Sequence, residues 1–162
     1  MLYKAILGLG NTGSKYKNTY HNIGQLMADF LLENNIFPEN VIIANNEGFM
    51  NESGNSALKL LNKIGGQPEK LLVIHDDSDI ELGKYKLSID RSSAGHKGIE
   101  DIINKIGSKN FWRLRIGIRP TGEETTGRMK AEEFVLRKIK KEDLEILRVV
   151  FEEAASKFLI SN

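Results

Sequence analysis

The sequence predicts a single α/β domain spanning residues 1–162. Two observations carry that reading. Short apolar runs alternate along the chain with stretches whose apolar residues recur at helical spacing. Two later strands alternate apolar with polar side chains, which makes the sheet mixed rather than purely parallel.

Tyr3 to Leu7 reads as a short buried strand that runs into glycine. Ile23, Leu26, Met27, Phe30 and Leu31 form one helix face, which Asn34, Asn35 and Pro38 end. Val41 to Ala44 is a short strand. Ser53 begins a helix facing inward with Ala57, Leu60, Leu61 and Ile64, and Gly65, Gly66 and Pro68 stop it. Leu71 to Ile74 is a continuous apolar run, as expected of a strand covered on both faces, and a polar segment, His75 to Asp79, follows. Lys84 to Ile89 alternates, and Asp90 to Lys97 is a polar loop. Ile99, Ile102, Ile103 and Ile106 define a helix that Gly107 closes. Arg113 to Ile118 is the second alternating strand, entered by Phe111 and Trp112 as core aromatics. A loop from Pro120 to Thr126 precedes helices at Ala131–Arg137 and Lys141–Leu159.

Composition narrows the function classes. The chain of 162 residues is 40% hydrophobic and 28% charged, ordinary for a soluble domain. It has no cysteine, which excludes disulfides, thiol nucleophiles and thiolate metal centres. No apolar run approaches the roughly 20 residues of a membrane helix. The opening MLYKAILGLG reaches glycine too early for a signal peptide, so a cytoplasmic protein is expected. The net charge of +1 is unevenly spread: Lys84 to Lys141 holds 15 basic against 7 acidic residues, and the remainder holds 8 against 15. That block reads either as a surface for a polyanion or as solvated basic helix faces.

Several clusters could carry chemistry. Gly8-Leu9-Gly10-Asn11-Thr12-Gly13 fits a dinucleotide fingerprint literally, but no helix begins within the turn, so a glycine-rich turn is the plainer reading. His21, at the mouth of the first helix, is either a general base or a capping residue. His75-Asp76-Asp77-Ser78-Asp79 follows a buried strand, where sites in α/β sheets sit. It reads as a metal site, as a carboxylate that orients a histidine, or as an Asp-rich turn. Asn51 begins a helix, as a cap or a site residue. Gly95-His96-Lys97-Gly98 precedes another helix, as an anion site or a plain loop. Lys84, Lys86, Arg91, Lys97, Arg113, Arg115, Arg119, Arg128 and Lys130 could form a phosphate track.

The order of these motifs is more specific than any one of them. LGLGNTGSKYKNTYHNIG, GFMNESG, LLVIHDDSDIELGKYKL, SSAGHKGIEDIINKIGSKNFWRLRIGIRP and MKAEEFVL together resemble the bacterial-type peptidyl-tRNA hydrolase family from Leu2 to about Leu136. The resemblance implies a three-layer α/β/α sandwich around a mixed, twisted sheet. It implies a monomeric, cytoplasmic enzyme that needs no metal or other cofactor and cleaves the ester joining a peptide to the tRNA 3′ end. By position, His21 matches the family's catalytic histidine and Asp76 its carboxylate partner. Asn11 and Asn51 match asparagines that hold substrate and water. Tyr16 matches an aromatic near the scissile end, and Phe49 belongs to the same substrate-binding set. Arg115, Arg128 and Lys130 fall where the family contacts tRNA phosphates.

Two departures stand out. Lys97 replaces the asparagine usual in the family's G-H-N-G. It is expected to bind the oxyanion or the terminal phosphate, and to lower the pKa of His21. Only 28 residues lie between Asn22 and Asn51, a gap in which the family usually carries an extra strand pair, so a trimmed sheet is expected. The rival readings are a catalytically weak RNA-binding relative, a metal-dependent esterase built on His75, Asp76, Asp77 and Asp79, and a nucleotide-binding module on Gly8 to Gly13.

Overall fold

The computed structural model describes residues 2–37, 39–122 and 131–160. Five strands form one mixed sheet: β1 (Ala5–Gly8), β2 (Ile42–Asn45), β3 (Leu71–Glu81), β4 (Tyr85–Ile89) and β5 (Trp112–Arg119). Their order is β2-β1-β3-β5-β4; β1, β2, β3 and β5 run parallel, and β4 is antiparallel to β5. The helices are α1 (Ile23–Glu33), α2 (Ser53–Lys63), α3 (Lys97–Ile106), α4 (Ala131–Phe134) and α5 (Lys141–Ala155).

Strand alternation builds the layers. Ile6, Leu72 and Ile74 point to one face and pack with Ile23, Met27 and Leu31 of α1 and with Leu147, Val150 and Phe151 of α5. Ala5, Leu7, Leu71 and Val73 point to the other, against Ala57, Leu60 and Leu61 of α2 and Ile99 and Ile102 of α3. The sheet therefore lies between two helical layers, as the family resemblance implies.

Gly8, the last residue of β1, and Gly24 of α1 serve packing. A Cβ on Gly8 would collide with the Gly24 carbonyl, and one on Gly24 with the Ile74 carbonyl, so α1 lies unusually close to the sheet. Gly13 holds a positive φ of 114° in the turn. No helix begins there, and α1 starts at Ile23, so this loop lacks the strand–turn–helix junction of a dinucleotide site.

One element runs longer than its sequence indicates. The apolar run predicts a strand ending at Ile74, yet β3 continues through the polar segment to Glu81. β5 supplies the missing support: His75, Asp76 and Asp77 pair with Arg115, Ile116 and Gly117. Gly117 is required because a Cβ there would meet the Glu81 carbonyl. Of the last predicted helices, the first is trimmed to the four residues of α4, whereas the second runs its expected length, α5 passing into a π turn at Ser156–Ile160.

Candidate active site

The carboxyl ends of β1 and β3 meet the N-terminal turns before α1, α2 and α3 around a cavity of about 530 Å³. Asn11, Tyr16, His21, Phe49, Asn51, Asp76 and Lys97 all line it. The structure thus brings together seven of the ten predicted residues from five separate stretches of chain.

Asp76, buried near the middle of β3, organises the centre. Both its oxygens lie 3.0 Å from Nδ1 of His21. One of them is also 3.0 Å from Nε2 of His96. The Nδ1 of His96 accepts the Ile99 N–H at 3.3 Å, which caps α3 and leaves the ring hydrogen on Nε2 to donate to Asp76. His75 packs edge-on against His96 at 4.7 Å, and its Nδ1 donates to the Asp76 carbonyl at 2.7 Å.

The electrostatics follow from this geometry. Burial disfavours the charged form of His21, but the charge and hydrogen bond of Asp76 outweigh it, and Lys97 subtracts a smaller amount. The net direction is upward from the usual 6.5. The expected lowering by Lys97 therefore acts, but Asp76 overrides it. Burial would raise the Asp76 carboxyl; the charges and hydrogen bonds of His21 and His96 hold it well below the ordinary carboxylate value. Burial, then the neighbouring His96, push His75 well below 6.5.

A network of asparagines fixes the rim, and only Asn11 of it is anticipated from the sequence. Asn22 and Asn11 clasp each other: Asn11 N–H donates to Asn22 Oδ1, and Asn22 Nδ2 to the Asn11 carbonyl, both at 2.9 Å. Asn11 Oδ1 in turn accepts the Met50 N–H at 2.7 Å, tying β1's loop to the turn that carries Asn51. Asn46 donates to the carbonyls of Gly10 at 2.9 Å and Phe49 at 3.2 Å. Phe49 is half exposed and meets Tyr16 edge-on at 6.2 Å. From the far side, His21 N–H donates to the Val135 carbonyl at 2.8 Å and Tyr20 N–H to the Arg137 carbonyl at 3.2 Å. Ile139 N–H donates to the Asn18 carbonyl at 2.8 Å, and Lys138 Nζ to that of Lys15 at 3.0 Å.

The basic residues divide. Arg113 is buried, and its guanidinium binds the carbonyls of Arg91 and Ser92, so it anchors the 90–96 loop and leaves the predicted phosphate track. Arg115 does not line the cavity; its Nε pairs with Asp77 at 2.7 Å. Lys97 is exposed at the rim, 3.4 Å from Glu132. Arg128 and Lys130 lie outside the described residues. The run His75, Asp76, Asp77 and Asp79 does not converge on an ion: strand geometry separates the side chains, and Asp77 is committed to Arg115. Among the described residues the grouping spaced to hold a metal is instead His21, Asp76 and His96.

A histidine oriented by a buried carboxylate, on the carboxyl side of the parallel strands, defines an α/β protein with a His–Asp pair where such folds carry their sites. Residues 5–161 match the family model described as peptidyl-tRNA hydrolase. The chain belongs to the peptidyl-tRNA hydrolase family. It is 38% identical to the peptidyl-tRNA hydrolase of Mycoplasmopsis synoviae (strain 53), over 94% of this chain and 86% of that protein. It is 39% identical to that of Sulfurihydrogenibium sp. (strain YO3AOP1), over 94% and 87%. The crystal structure of peptidyl-tRNA hydrolase from Acinetobacter baumannii superposes with a TM-score of 0.83 at 28% identity, covering 98% of this chain and 88% of that one.

Proposed function

We propose that this chain hydrolyses the ester between the peptide and the tRNA in peptidyl-tRNA, freeing the tRNA for reuse. The observation that carries the reading is the 3.0 Å approach of His21 Nδ1 to Asp76 inside the cavity, in a chain of this family.

In the mechanism, Asp76 holds the hydrogen of His21 on Nδ1 and leaves Nε2 as the base. Nε2 takes a proton from water as the water oxygen attacks the ester carbonyl. Asn11, Asn51 and Lys97 hold the peptide, the water and the oxyanion, the last by hydrogen-bond donors. As the tetrahedral centre collapses, the bond to the ribose oxygen breaks, and His21 returns its proton to that oxygen. The products are a peptide carboxylic acid, which loses its proton to solvent, and a tRNA hydroxyl, and Asp76 stays ionised throughout. His96 is a positioning residue: its second hydrogen bond fixes the Asp76 carboxylate. Tyr16 and Phe49 give the substrate's end an aromatic wall. Hydrogen bonds to the first peptide group discriminate against unacylated aminoacyl-tRNA, whose free amine cannot replace them.

Arg115, Arg128 and Lys130 position the acceptor stem by phosphate contacts. We read the protein as a monomer built as a single domain over 1–162. Among the described residues no helix is long and apolar enough to cross a membrane; we place its work in the cytoplasm, where the family resemblance implies it.

The test is peptide release from N-acetyl-aminoacyl-tRNA in EDTA, with His21→Ala in parallel. Wild type should turn over, and the variant should lose roughly 10²–10⁴-fold while keeping its fold. Tight tRNA binding by wild type without turnover would overturn the reading in favour of an RNA-binding relative.

A further inference from the structure

We propose that His21, Asp76 and His96 form a site for a divalent transition-metal cation of the zinc type, and that occupancy switches the hydrolytic centre off. Each residue offers one ligand atom, and the three atoms lie within 4.8 Å of one another. Asp76 already stands 3.0 Å from both histidine nitrogens. Zinc binds imidazole nitrogen and carboxylate oxygen at roughly 2.0–2.2 Å, so a tetrahedral ion holds its donors about 3.3 Å apart. Two of the three spacings are therefore close to what the ion needs, and closing the third brings the two imidazoles together. Two nitrogens and one oxygen suit zinc, nickel or copper and not magnesium, which prefers oxygen. The cavity leaves the fourth position open to water.

The hydrogens decide the consequence. At present the Nδ1–H of His21 and the Nε2–H of His96 both point at Asp76. A metal ion takes the place of both. The two rings stay neutral by exchange with solvent: His21 releases a proton from Nδ1 and gains one on Nε2, and His96 releases one from Nε2 and gains one on Nδ1. No net proton is gained or lost. The cost is the long 3.3 Å contact from Ile99 N–H to His96 Nδ1. His21 Nε2 then carries hydrogen and has no lone pair to accept a proton from water. The inhibition rests on the function proposed above; the binding does not.

Cobalt(II) is the probe, because a four-coordinate ion shows visible ligand-field absorption. Full-length wild type should develop that band, and zinc should abolish it by competition. His96→Asn, checked for fold by circular dichroism, should bind about tenfold or more weakly. His75→Asn, which alters the remaining histidine, should keep the band. If His96→Asn does not fold, Asp76→Asn takes its place with the same expectation. In parallel, zinc should stop release of peptide from N-acetyl-aminoacyl-tRNA, and EDTA should restore it. Absence of the band in wild type, or an equal affinity in folded His96→Asn, would overturn the site. Bound zinc with unchanged or faster hydrolysis would overturn the switch. A wild type that binds cobalt but hydrolyses nothing counts against the proposed function and leaves the metal site standing.

Discussion

The Nζ of Lys97, on the first residue of α3, lies 3.4 Å from Oε1 of Glu132 on α4, and both side chains line the cavity. The cation that replaces the family's usual asparagine is therefore shared with a carboxylate. Both groups are exposed, and such pairs contribute only about 0–1 kcal/mol to stability. Glu132→Gln should leave Tm nearly unchanged while removing a negative charge from the path of a polyanion. KM for N-acetyl-aminoacyl-tRNA should fall a few-fold at low salt, and the difference should vanish at high salt. Kinetics at two ionic strengths measure this, and a KM that rises at low salt contradicts it.

The pH profile should report His21, with opposite shifts from its two charged neighbours. A base must be neutral, and the His21 pKa stands above 6.5, so kcat/KM should rise with pH through one ionisation on the alkaline side of 6.5. Lys97→Asn removes a charge that disfavours imidazolium, so the midpoint should move to higher pH. Asp76→Asn removes the charge that favours it, so the midpoint should move lower while the rate falls severely. The measurement is kcat/KM against pH in EDTA for the three proteins, and shifts of the same sign would refute the assignment.

Stability should peak near pH 6.5 because two histidines pull in opposite directions. His21 has a raised folded pKa, so its contribution is complete below 6.5 and is lost as pH rises through the folded value. His75 has a depressed one, so its contribution is complete above 6.5 and is lost as pH falls toward the folded value. Asp76, also depressed, adds a further loss below the ordinary 3.8. Thermal melts across pH should show that His21→Ala flattens the alkaline limb and His75→Asn the acid limb below 6.5.

The basic residues should separate by salt. Arg113→Met strands the Arg91 and Ser92 carbonyls and should cost about 2–4 kcal/mol in urea unfolding. The salt slope of tRNA binding should be unaltered in that variant. Arg128→Ala and Lys130→Ala should each reduce the slope of log K against log salt by about 0.9. Filter binding from low to moderate salt reads both, and a full slope in the double variant would remove these residues from the tRNA surface.

The apolar elements are legible in sequence because their cause is local. Ile23, Met27 and Leu31 repeat at helical spacing and do bury one face of α1. The second half of β3 is not legible, because HDDSD has little strand propensity and stays extended through β5 pairing and the Arg115–Asp77 ion pair. His21 and Asp76 are 55 residues apart, and only the order of motifs joins them. His96 has a local signal, the GHKG before α3, but its contact with Asp76 exists only once α3 packs beside β3. Asn22 and Asn46 have none: each binds backbone groups that the fold brings within reach.

The backbone bonds from His21 to Val135 and from Tyr20 to Arg137 join the stretch before α1 to the stretch after α4. Translation makes those parts far apart in time. A ribosome that has synthesised the glycine-rich loop, α1 and His21 has yet to make the segment that holds them. His21 gains these anchors only after residues 135–139 have emerged. An enzyme that acts on peptides still joined to tRNA thus holds its own His21 loop in place only once a segment made much later has emerged.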